Sequence, residues 1–562
     1  MTSSPSSRVW KWWSALFDDS AQVAALAAVA MSAAIIGLIV RGFQQDTWGW
    51  TEFYGDGFYY LAFAKYAAQG DFFTYANIGP TSGIHPLHWL HLTAVHALTG
   101  GNHSWMFPIL FLTYAVGFAA TVWAMLYTLR MLGAGAKLLL LVIIAMTYGN
   151  YLADALDLPI LIPGIFTNFT NLMPSWLLIT SLALLIAAGV RQLRTPTRNS
   201  WILVVLVSIV SIWARIDYLF VVLPFVTIVA WRSKDLLRWQ KIAIVSAPVA
   251  SLGTWMVLLL IATGIPMPTS GTVKNSLSPA LEAGPSGAFD MFTKNFLNSA
   301  DALHIIIAFA GLFVSGGLLI AAVRLRDAGR NPVTQAFLAI LAGMFLLLIY
   351  HMVITFPGDV GGWYFRPYRV LVLIVGAFAF STVFKTDLWS LNRTLRGAAG
   401  VIAIGAVVLV VGAQLNGPSA ASDSLGQAHL VREVVQQLEG VADPNATFYD
   451  GTDGAFGWYG DFTAYHVKGM ANTPDYVDIA RSARLLDSAE MIPVYESYIN
   501  ENEIDYYVSY GKGKVSDLFD PCWTTQTMVA YAEKTLGDEY ANSYVLRSED
   551  WVALLECRAN GG

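Results

Sequence analysis

The chain has 562 residues, of which 56% are hydrophobic and 13% charged, and its mean hydropathy is +0.52. This balance excludes an ordinary soluble domain and predicts a chain that crosses a lipid bilayer repeatedly. The net charge of −6, with no basic stripe along the sequence, argues against a nucleic-acid-binding protein.

In chain order, about eleven apolar segments predict membrane-spanning helices, and the fifth and sixth are short and separated by WARIDY. The predicted spans are 21–41, 106–129, 137–155, 172–190, 201–214, 217–231, 241–263, 302–323, 334–354, 367–384 and 397–414. The sequence therefore predicts an α-helical multi-pass membrane protein.

Lys and Arg concentrate in alternate connections between these segments, which predicts that those loops are cytoplasmic. Residues 1–20 would then be a cytoplasmic N-terminus, and 21–414 a transmembrane domain of a cell membrane. Its long first outer loop, 42–105, would carry short interfacial helices. The polar segment 415–562 would be an extracytoplasmic domain.

Short strand-like and helical segments alternate in that C-terminal region, which predicts a small α/β domain. They include ATFYDG, AYHVKGM, a helix over 476–500 and DYYVSYG. Both cysteines of the chain, Cys522 and Cys557, fall here, on the predicted oxidising side of the membrane. A disulfide between them is predicted, with two unpaired thiols as the alternative.

The stretch GDGFYYLAFAKYAAQGDFF, residues 55–73, predicts a helix too short and too polar to cross, lying in the membrane interface with one apolar face. Asp56 stands at its start. One interpretation is a helix N-cap. The other is a carboxylate kept ionised by the helix dipole, which would suit a general base beside a dry cavity. The two interpretations are compatible.

A second short helix is predicted to start at Pro86, within PTSGIHPLHWLHLTAVHAL. This region holds five of the nine histidines: His85, His88, His91, His96 and His103. No acid is paired with them at the spacing of a zinc site, so contacts to a hydroxylated or phosphorylated ligand are favoured. The sequence predicts no cofactor and leaves a divalent ion open.

Further charged residues are predicted at the outer face. Arg215 and Asp217 lie between two short spans, where they form either a structural ion pair or a site for an anionic headgroup. Lys274 is a lone cation after a hydroxyl-rich segment and is either a solvated loop lysine or a phosphate ligand. Arg366, beside Tyr364, runs against the positive-inside trend and so points to an anionic partner.

Taken together, these motifs resemble the bacterial GT-C superfamily, integral-membrane glycosyltransferases that use polyprenyl-phosphate sugars. The resemblance is to members with D-x-x-Y-Y-L and P-T-N-G-x-H-P-L-W patterns. The first set of matching residues is Asp56, Tyr59, Tyr60, Pro80, Thr81, Gly83, His85, Pro86 and Leu87, with Ser82 in place of Asn and His88 in place of Trp. The second set is Pro268, Thr269, Ser270, Gly271 and Lys274, together with Arg215 and Asp217.

The resemblance implies an inverting hexosyl- or pentosyltransferase with Asp56 as general base and a glycan, lipid or protein hydroxyl as acceptor. It implies that the donor phosphate is bound by Lys274, Arg215 and Arg366. The implied substrate-binding residues are Glu52, Tyr59, Tyr60, His85, His88, Asp217 and Tyr364. Many relatives carry two adjacent acids, whereas Gly55 precedes Asp56 here, which leaves Glu52 or Asp71 as a possible assisting acid.

Two other classes fit parts of the pattern. A transporter or lipid flippase would use the same intramembrane charges without chemistry, and a scaffold would bind wall polymers through its outer domain. Transporters commonly contain related halves. No repeated halves are visible here, and the ionisable groups gather at one predicted face. That asymmetry favours an enzyme.

Overall fold

The computed structural model describes a set of segments that together cover most of the chain. They are residues 55–132, 172–197, 199–273, 284–298, 302–326, 328–354, 364, 366–384, 423–452, 454–466, 488–512, 528–536 and 539–559. The predicted spans 21–41, 137–155 and 397–414 lie outside these residues.

Two short helices form the first loop, and a series of longer apolar helices follows. In chain order the helices are α1 (Gly55–Gln69), α2 (Pro86–Thr99), α3 (His103–Met131), α4 (Ser175–Arg194), α5 (Ser200–Ala214), α6 (Leu219–Arg232), α7 (Arg238–Thr263), α8 (Thr269–Val273), α9 (Gly284–Asn298), α10 (Ala302–Arg326), α11 (Pro332–Ile354) and α12 (Arg366–Phe384). A 3₁₀ turn, Ile216–Tyr218, joins α5 to α6. Where the structure describes a predicted span, it contains a helix whose bounds differ by a few residues.

Four of the described helices are long and apolar enough to cross a membrane. They are His103–Leu129 within α3, then α4, α7 and α11. Shorter apolar helices occur at Ser200–Ala214 and Ala308–Ala321. A helix satisfies its own backbone hydrogen bonds, which is why such apolar segments are helical in a bilayer.

Helix α2 shows how local sequence sets an element's limits. It begins at Pro86, whose fixed φ suits the first helical position. It ends at Gly100, where φ is +58°, a left-handed conformation that glycine adopts without steric cost. The helix is 14 residues long, too short to span, as its sequence predicts.

Helices α6 and α11 approach each other closely around a glycine. A Cβ atom on Gly343 of α11 would overlap the carbonyl oxygen of Phe220 at the start of α6. Small residues at such contacts let helix backbones pack in a membrane-type bundle. This contact fixes the end of α11 beside the turn that precedes α6.

The C-terminal region folds around a mixed five-stranded sheet. Its elements are α13 (Asp423–Leu438), β1 (Thr447–Asp450), α14 (Ala455–Tyr459), β2 (Thr463–His466), α15 (Ser488–Glu501), β3 (Tyr506–Lys512), β4 (Met528–Leu536), β5 (Glu539–Arg547) and α16 (Ser548–Ala559). The strand order is β2-β1-β3-β5-β4. Strand β1 pairs in parallel with β2 and β3, whereas β5 is antiparallel to β3 and β4.

An aromatic cluster packs one face of this sheet against α16. The rings of Tyr507 and Trp551 are stacked with centroids 4.4 Å apart, and Tyr449 lies 5.4 Å from Trp551. The strand-like segments predicted at 446–451, 464–470 and 505–511 overlap β1, β2 and β3. Helix α13 and strand β4 were not predicted, because neither MVAYAEKTL nor the start of the polar region has a clear period.

Helix α1 differs from its sequence-based expectation. Its residues from Phe58 to Ala67 are buried on all sides apart from the half-buried Lys65, instead of presenting one face to an interface. The reason is tertiary: α14 and the segments beside it cover the helix. Lys65 Nζ donates to the carbonyl of Gly460 at 2.8 Å and lies 2.7 Å from the Asp461 carboxylate.

A buried hydrogen bond strengthens this contact between the first loop and the C-terminal domain. Tyr75 donates its hydroxyl to Asp450 Oδ2 at 2.7 Å, and both side chains are fully buried. Gly454, with φ +89°, passes so close to α1 that any side chain there would overlap the backbone of Tyr59. The C-terminal domain therefore rests directly on α1.

Candidate active site

A cavity of about 470 Å³ lies among the first loop, the α5–α6 turn, α7, the segment before α8 and the end of α11. Ligand pockets in proteins commonly measure roughly 300–1,000 Å³. Its polar lining residues are Tyr59, Tyr60, His85, Arg215, Asp217, Ser270, Tyr350, His351 and Tyr364. Its apolar lining includes Phe63, Ile84, Met173, Leu219, Phe220, Leu252, Met256, Met267 and Ile354.

Helix α1 supplies one wall of the cavity through Tyr59 and Tyr60. The Tyr60 ring is stacked on His85, with centroids 6.3 Å apart. Asp56 is the second residue of α1, so its position precedes these two tyrosines by one helical turn. Its side chain lies outside the described part of the structure.

The charged centre of the cavity is the turn between α5 and α6. Arg215 Nε donates to both carboxylate oxygens of Asp217, at 3.0 and 3.1 Å. On the other side, His351 Nε2 lies 3.0 Å from Asp217 Oδ2. The guanidinium of Arg215 also lies over the Tyr364 ring, 4.6 Å from its centroid.

Electrostatics keep this turn ionised although it is buried. Burial alone would raise the pKa of Asp217, but the Arg215 charge and the contact with His351 hold that pKa below its usual range. Burial opposes the charge of Arg215 too, yet the neighbouring Asp217 raises its pKa. The turn belongs to neither of the apolar helices α5 and α6. An ionised Arg215–Asp217 pair at the cavity wall is therefore the stable arrangement.

Two identical tetrapeptides meet beside the cavity. The P-T-S-G segment at 80–83 contacts the P-T-S-G segment at 268–271: the Thr269 backbone N–H donates to Ser82 Oγ at 3.2 Å. The hydroxyl oxygens of Thr81 and Thr269 are 3.5 Å apart. This contact places Gly83 and Gly271 on the cavity wall. It also brings the chain that leads to position 274 alongside the first loop.

The structure assigns His88 a place behind the cavity wall. It is fully buried, its Nε2 donates to the Leu172 carbonyl at 2.6 Å, and its ring meets the edge of Tyr60 at 4.8 Å. Burial lowers the pKa of His88 to about 3, and it lowers that of the neighbouring His91 to about 4. These neutral rings support the wall, which argues against the expected direct contact of His88 with substrate.

Of the other residues proposed from sequence, Tyr59, Tyr60, His85, Arg215, Asp217 and Tyr364 are brought together on the cavity. The residues Glu52, Lys274 and Cys522, and the Arg366 side chain, lie outside the described residues. Cys557 is disulfide-bonded, and its pairing with Cys522 stays a prediction. Asp71 is exposed at the start of the loop that follows α1.

Sequence reasoning missed Tyr350 and His351, which lie in α11. A histidine within an apolar span is a signal in itself, since ionisable residues at membrane depth usually face a cavity or a partner. Within the described residues, no group of three or more His, Cys, Asp or Glu side chains is arranged to hold a metal ion.

Fold and site together define a helical protein whose described residues include four candidate membrane spans, a small C-terminal sheet domain, and a cavity whose polar wall contains a buried charged pair. No family model matches the chain, and no curated protein matches it either.

The fold is similar to the crystal structure of ArnT from Cupriavidus metallidurans in the apo state. The identity is 12% over 94% of this chain and 98% of that chain, and the TM-score is 0.49. Values this low do not by themselves define a shared family or activity.

Proposed function

We propose that this protein is a GT-C-type membrane glycosyltransferase that moves a sugar from a polyprenyl-phosphate donor to a hydroxyl acceptor at the extracytoplasmic face. The observation that carries the proposal is the convergence on one cavity of Tyr59, His85, Arg215 and Gly271. These residues belong to four separate motifs, all of which contributed to the resemblance found in the sequence. If each motif had only a local structural role, the four motifs would not need to meet at one cavity.

The chemistry follows from charges placed in a site with little water. In the proposed inverting displacement, Asp56 takes the proton of the acceptor hydroxyl as its oxygen attacks the anomeric carbon. The bond from that carbon to the phosphate oxygen breaks, and the polyprenyl phosphate leaves with the bonding electrons. Residues three and four apart share one face of a helix. Asp56 therefore occupies the turn of α1 next to the two tyrosines that line the cavity.

Stabilisation of the leaving phosphate is assigned to Arg215, with Lys274 and Arg366 as further ligands. Fixed cations in a low-dielectric cavity stabilise developing negative charge more strongly than they would in water. Arg215 is 4% exposed and faces the cavity, and its bonds to Asp217 leave from Nε. That bond does not occupy the two terminal Nη groups. The apolar lining residues suit the first isoprene units of the carrier.

The proposal is tested by a transfer assay on purified protein in lipid nanodiscs with a panel of polyprenyl-phosphate sugars and membrane extract as acceptor. We expect Asp56→Asn to reduce transfer at least about a hundredfold, the lower end of what a lost general base costs. Donor binding should be retained. The matched control is Asp290→Asn, an exposed acid of α9 that pairs with Lys294, which should transfer at the wild-type rate.

Equal transfer by wild type and Asp56→Asn would contradict the assigned base. Movement of an intact lipid-linked sugar across the bilayer, without transfer, would instead support the transporter alternative.

A further inference from the structure

The charges on the cavity wall are nearly balanced before any ligand binds. Among the described residues that line the cavity, Arg215 and Asp217 are the permanently charged side chains, and they bind each other. Their charges offset. An anionic phosphodiester would therefore gain little long-range attraction from this pair alone. A further positive charge on this wall would add to those of Lys274 and Arg366, assigned above.

His351 is placed to supply that charge. It lies near the C-terminal end of α11, is 4% exposed, and lines the cavity. Its Nε2 is 3.0 Å from Asp217 Oδ2, and its ring centroid is 4.5 Å from that of Tyr364. That distance places the ring within ion-pair reach of the carboxylate. Protonation adds a positive charge and a second N–H donor.

Charged and titratable groups face His351 from several elements. Asp217 and Arg215 face it from the α5–α6 turn. Four tyrosines face His351 or adjoin its neighbours. They come from its own helix, from the α5–α6 turn, from the residue before α12 and from α12 itself: Tyr350, Tyr218, Tyr364 and Tyr368. Tyrosine is neutral near neutral pH. The carboxylate in direct contact is thus the nearest charge, and a bound phosphodiester would add a second negative charge.

We propose that His351 is a further ligand-binding residue, which binds the phosphodiester of the donor as a protonated imidazolium held by Asp217. A protonated His351 adds one positive charge to this wall, opposite in sign to the single charge of a phosphodiester. Binding then takes up a proton. The inference rests on the proposed function, because it assigns the phosphate of the same donor to this wall.

The test uses a probe whose own charge is constant. Farnesyl methyl phosphate is a phosphodiester with one isoprenoid chain, and it keeps one negative charge throughout the range in which histidine titrates, roughly pH 5 to 8. Its binding to wild type in nanodiscs is measured by calorimetry across that range. Since the neutral ring lacks the positive charge that attracts the anion, we expect affinity to fall about tenfold or more from the acid to the alkaline end.

Variants identify the group that titrates. His351→Gln should bind more weakly at low pH and with little dependence on pH. His85→Gln, which alters the other histidine on the cavity wall, should keep the pH dependence. His96→Gln is the matched control outside the cavity and should behave as wild type in both respects. Retention of the wild-type pH dependence by His351→Gln, or its loss in His85→Gln alone, would overturn the assignment.

A measurement on wild type keeps the inference testable even if the variants fold poorly. Calorimetry in two buffers with different ionisation enthalpies gives the number of protons taken up on binding. We expect uptake of up to one proton at alkaline pH, and uptake of none would contradict the inference. Probe binding without proton uptake and without pH dependence would contradict the role of His351 and leave the proposed donor class intact. Absence of probe binding at any pH contradicts the proposed donor class as well.

Discussion

At the scale of single residues, the buried ion pair of Arg215 and Asp217 is the most consequential feature of the molecule. Ionised groups lose much hydration on burial, and only good geometry and further hydrogen bonds offset that loss. Both conditions are met here: Asp217 accepts from Arg215 through two oxygens, and His351 contacts it from α11. The pair is thus both a structural junction and the polar wall of the cavity.

Removing one partner should therefore be costly. We expect Asp217→Asn to lower stability by about 3 kcal/mol, because the Arg215 charge would remain buried with a neutral partner. The measurement is thermal unfolding in detergent. The matched control is Asp290→Asn, which breaks the exposed pair with Lys294 (2.8 Å). That change should cost less than about 1 kcal/mol.

The same pair has a defined dependence on pH. Because the pKa of Asp217 is lowered in the folded protein, its contribution is complete above the ordinary Asp pKa of about 3.9 and is lost only as pH falls below it. The contribution of the carboxylate itself should hence not decline between about pH 7 and 5, so the difference in unfolding temperature between wild type and Asp217→Asn should persist across that range. A difference that vanishes by the acid end of that range would contradict the assignment.

At the scale of elements, the contact between α6 and α11 sets the shape of the cavity. Phe220 and Asp217 lie on one side of this contact, and Gly343 and His351 lie on the other. A small change in the separation of the two helices would move the histidine away from the carboxylate. The paired P-T-S-G segments play a similar part on the opposite wall.

Gly343→Ala tests the helix contact. The new methyl group would overlap the backbone of Phe220, so the helices must separate, and we expect a loss of roughly 1–3 kcal/mol together with weaker binding of the phosphodiester probe. Gly317→Ala in α10 is the control, since its methyl group would meet no atom within 4 Å. That change should be neutral or stabilise the helix. Similar behaviour of the two variants would show that the contact is not tight.

At the scale of the whole molecule, the C-terminal domain and the first loop form one unit. Helix α1 includes Asp56 in its first turn and two tyrosines that line the cavity, and it contacts the C-terminal domain through Lys65. The buried hydrogen bond from Tyr75 to Asp450 ties the loop after α1 to strand β1. The domain therefore fixes the position of the helix that supplies the proposed base.

Tyr75→Phe removes this bond and leaves the Asp450 carboxylate without the hydroxyl donor. We expect the docking to weaken by about 1–3 kcal/mol. Hydrogen–deuterium exchange in α1 and over 454–466 should accelerate accordingly. Asn77→Gly removes an exposed bond to the Asp461 carbonyl (3.0 Å), suits the positive φ of +61° at this position, and is the matched control. Unchanged exchange in Tyr75→Phe would show that this hydrogen bond does not stabilise the contact between the first loop and the C-terminal domain.

Some of this protein was determined by the sequence alone. Apolar length predicted the helices, because a chain in lipid must satisfy its backbone hydrogen bonds within each segment. Pro86 and Gly100 set the limits of α2 through their own backbone preferences. The motifs that contain Tyr59, His85 and Arg215 were visible as polar residues in an otherwise apolar chain. They supplied most of the polar residues of the cavity wall.

Only the tertiary structure decided which of these segments meet. The burial of α1 depends on a domain nearly four hundred residues further along the chain, and no local period reports such a contact. The same holds for His351, whose role arises from α11 packing beside a distant turn, and for His88, which burial moves behind the wall. Local patterns reflect short-range backbone and solvent preferences, whereas a site is made by long-range packing.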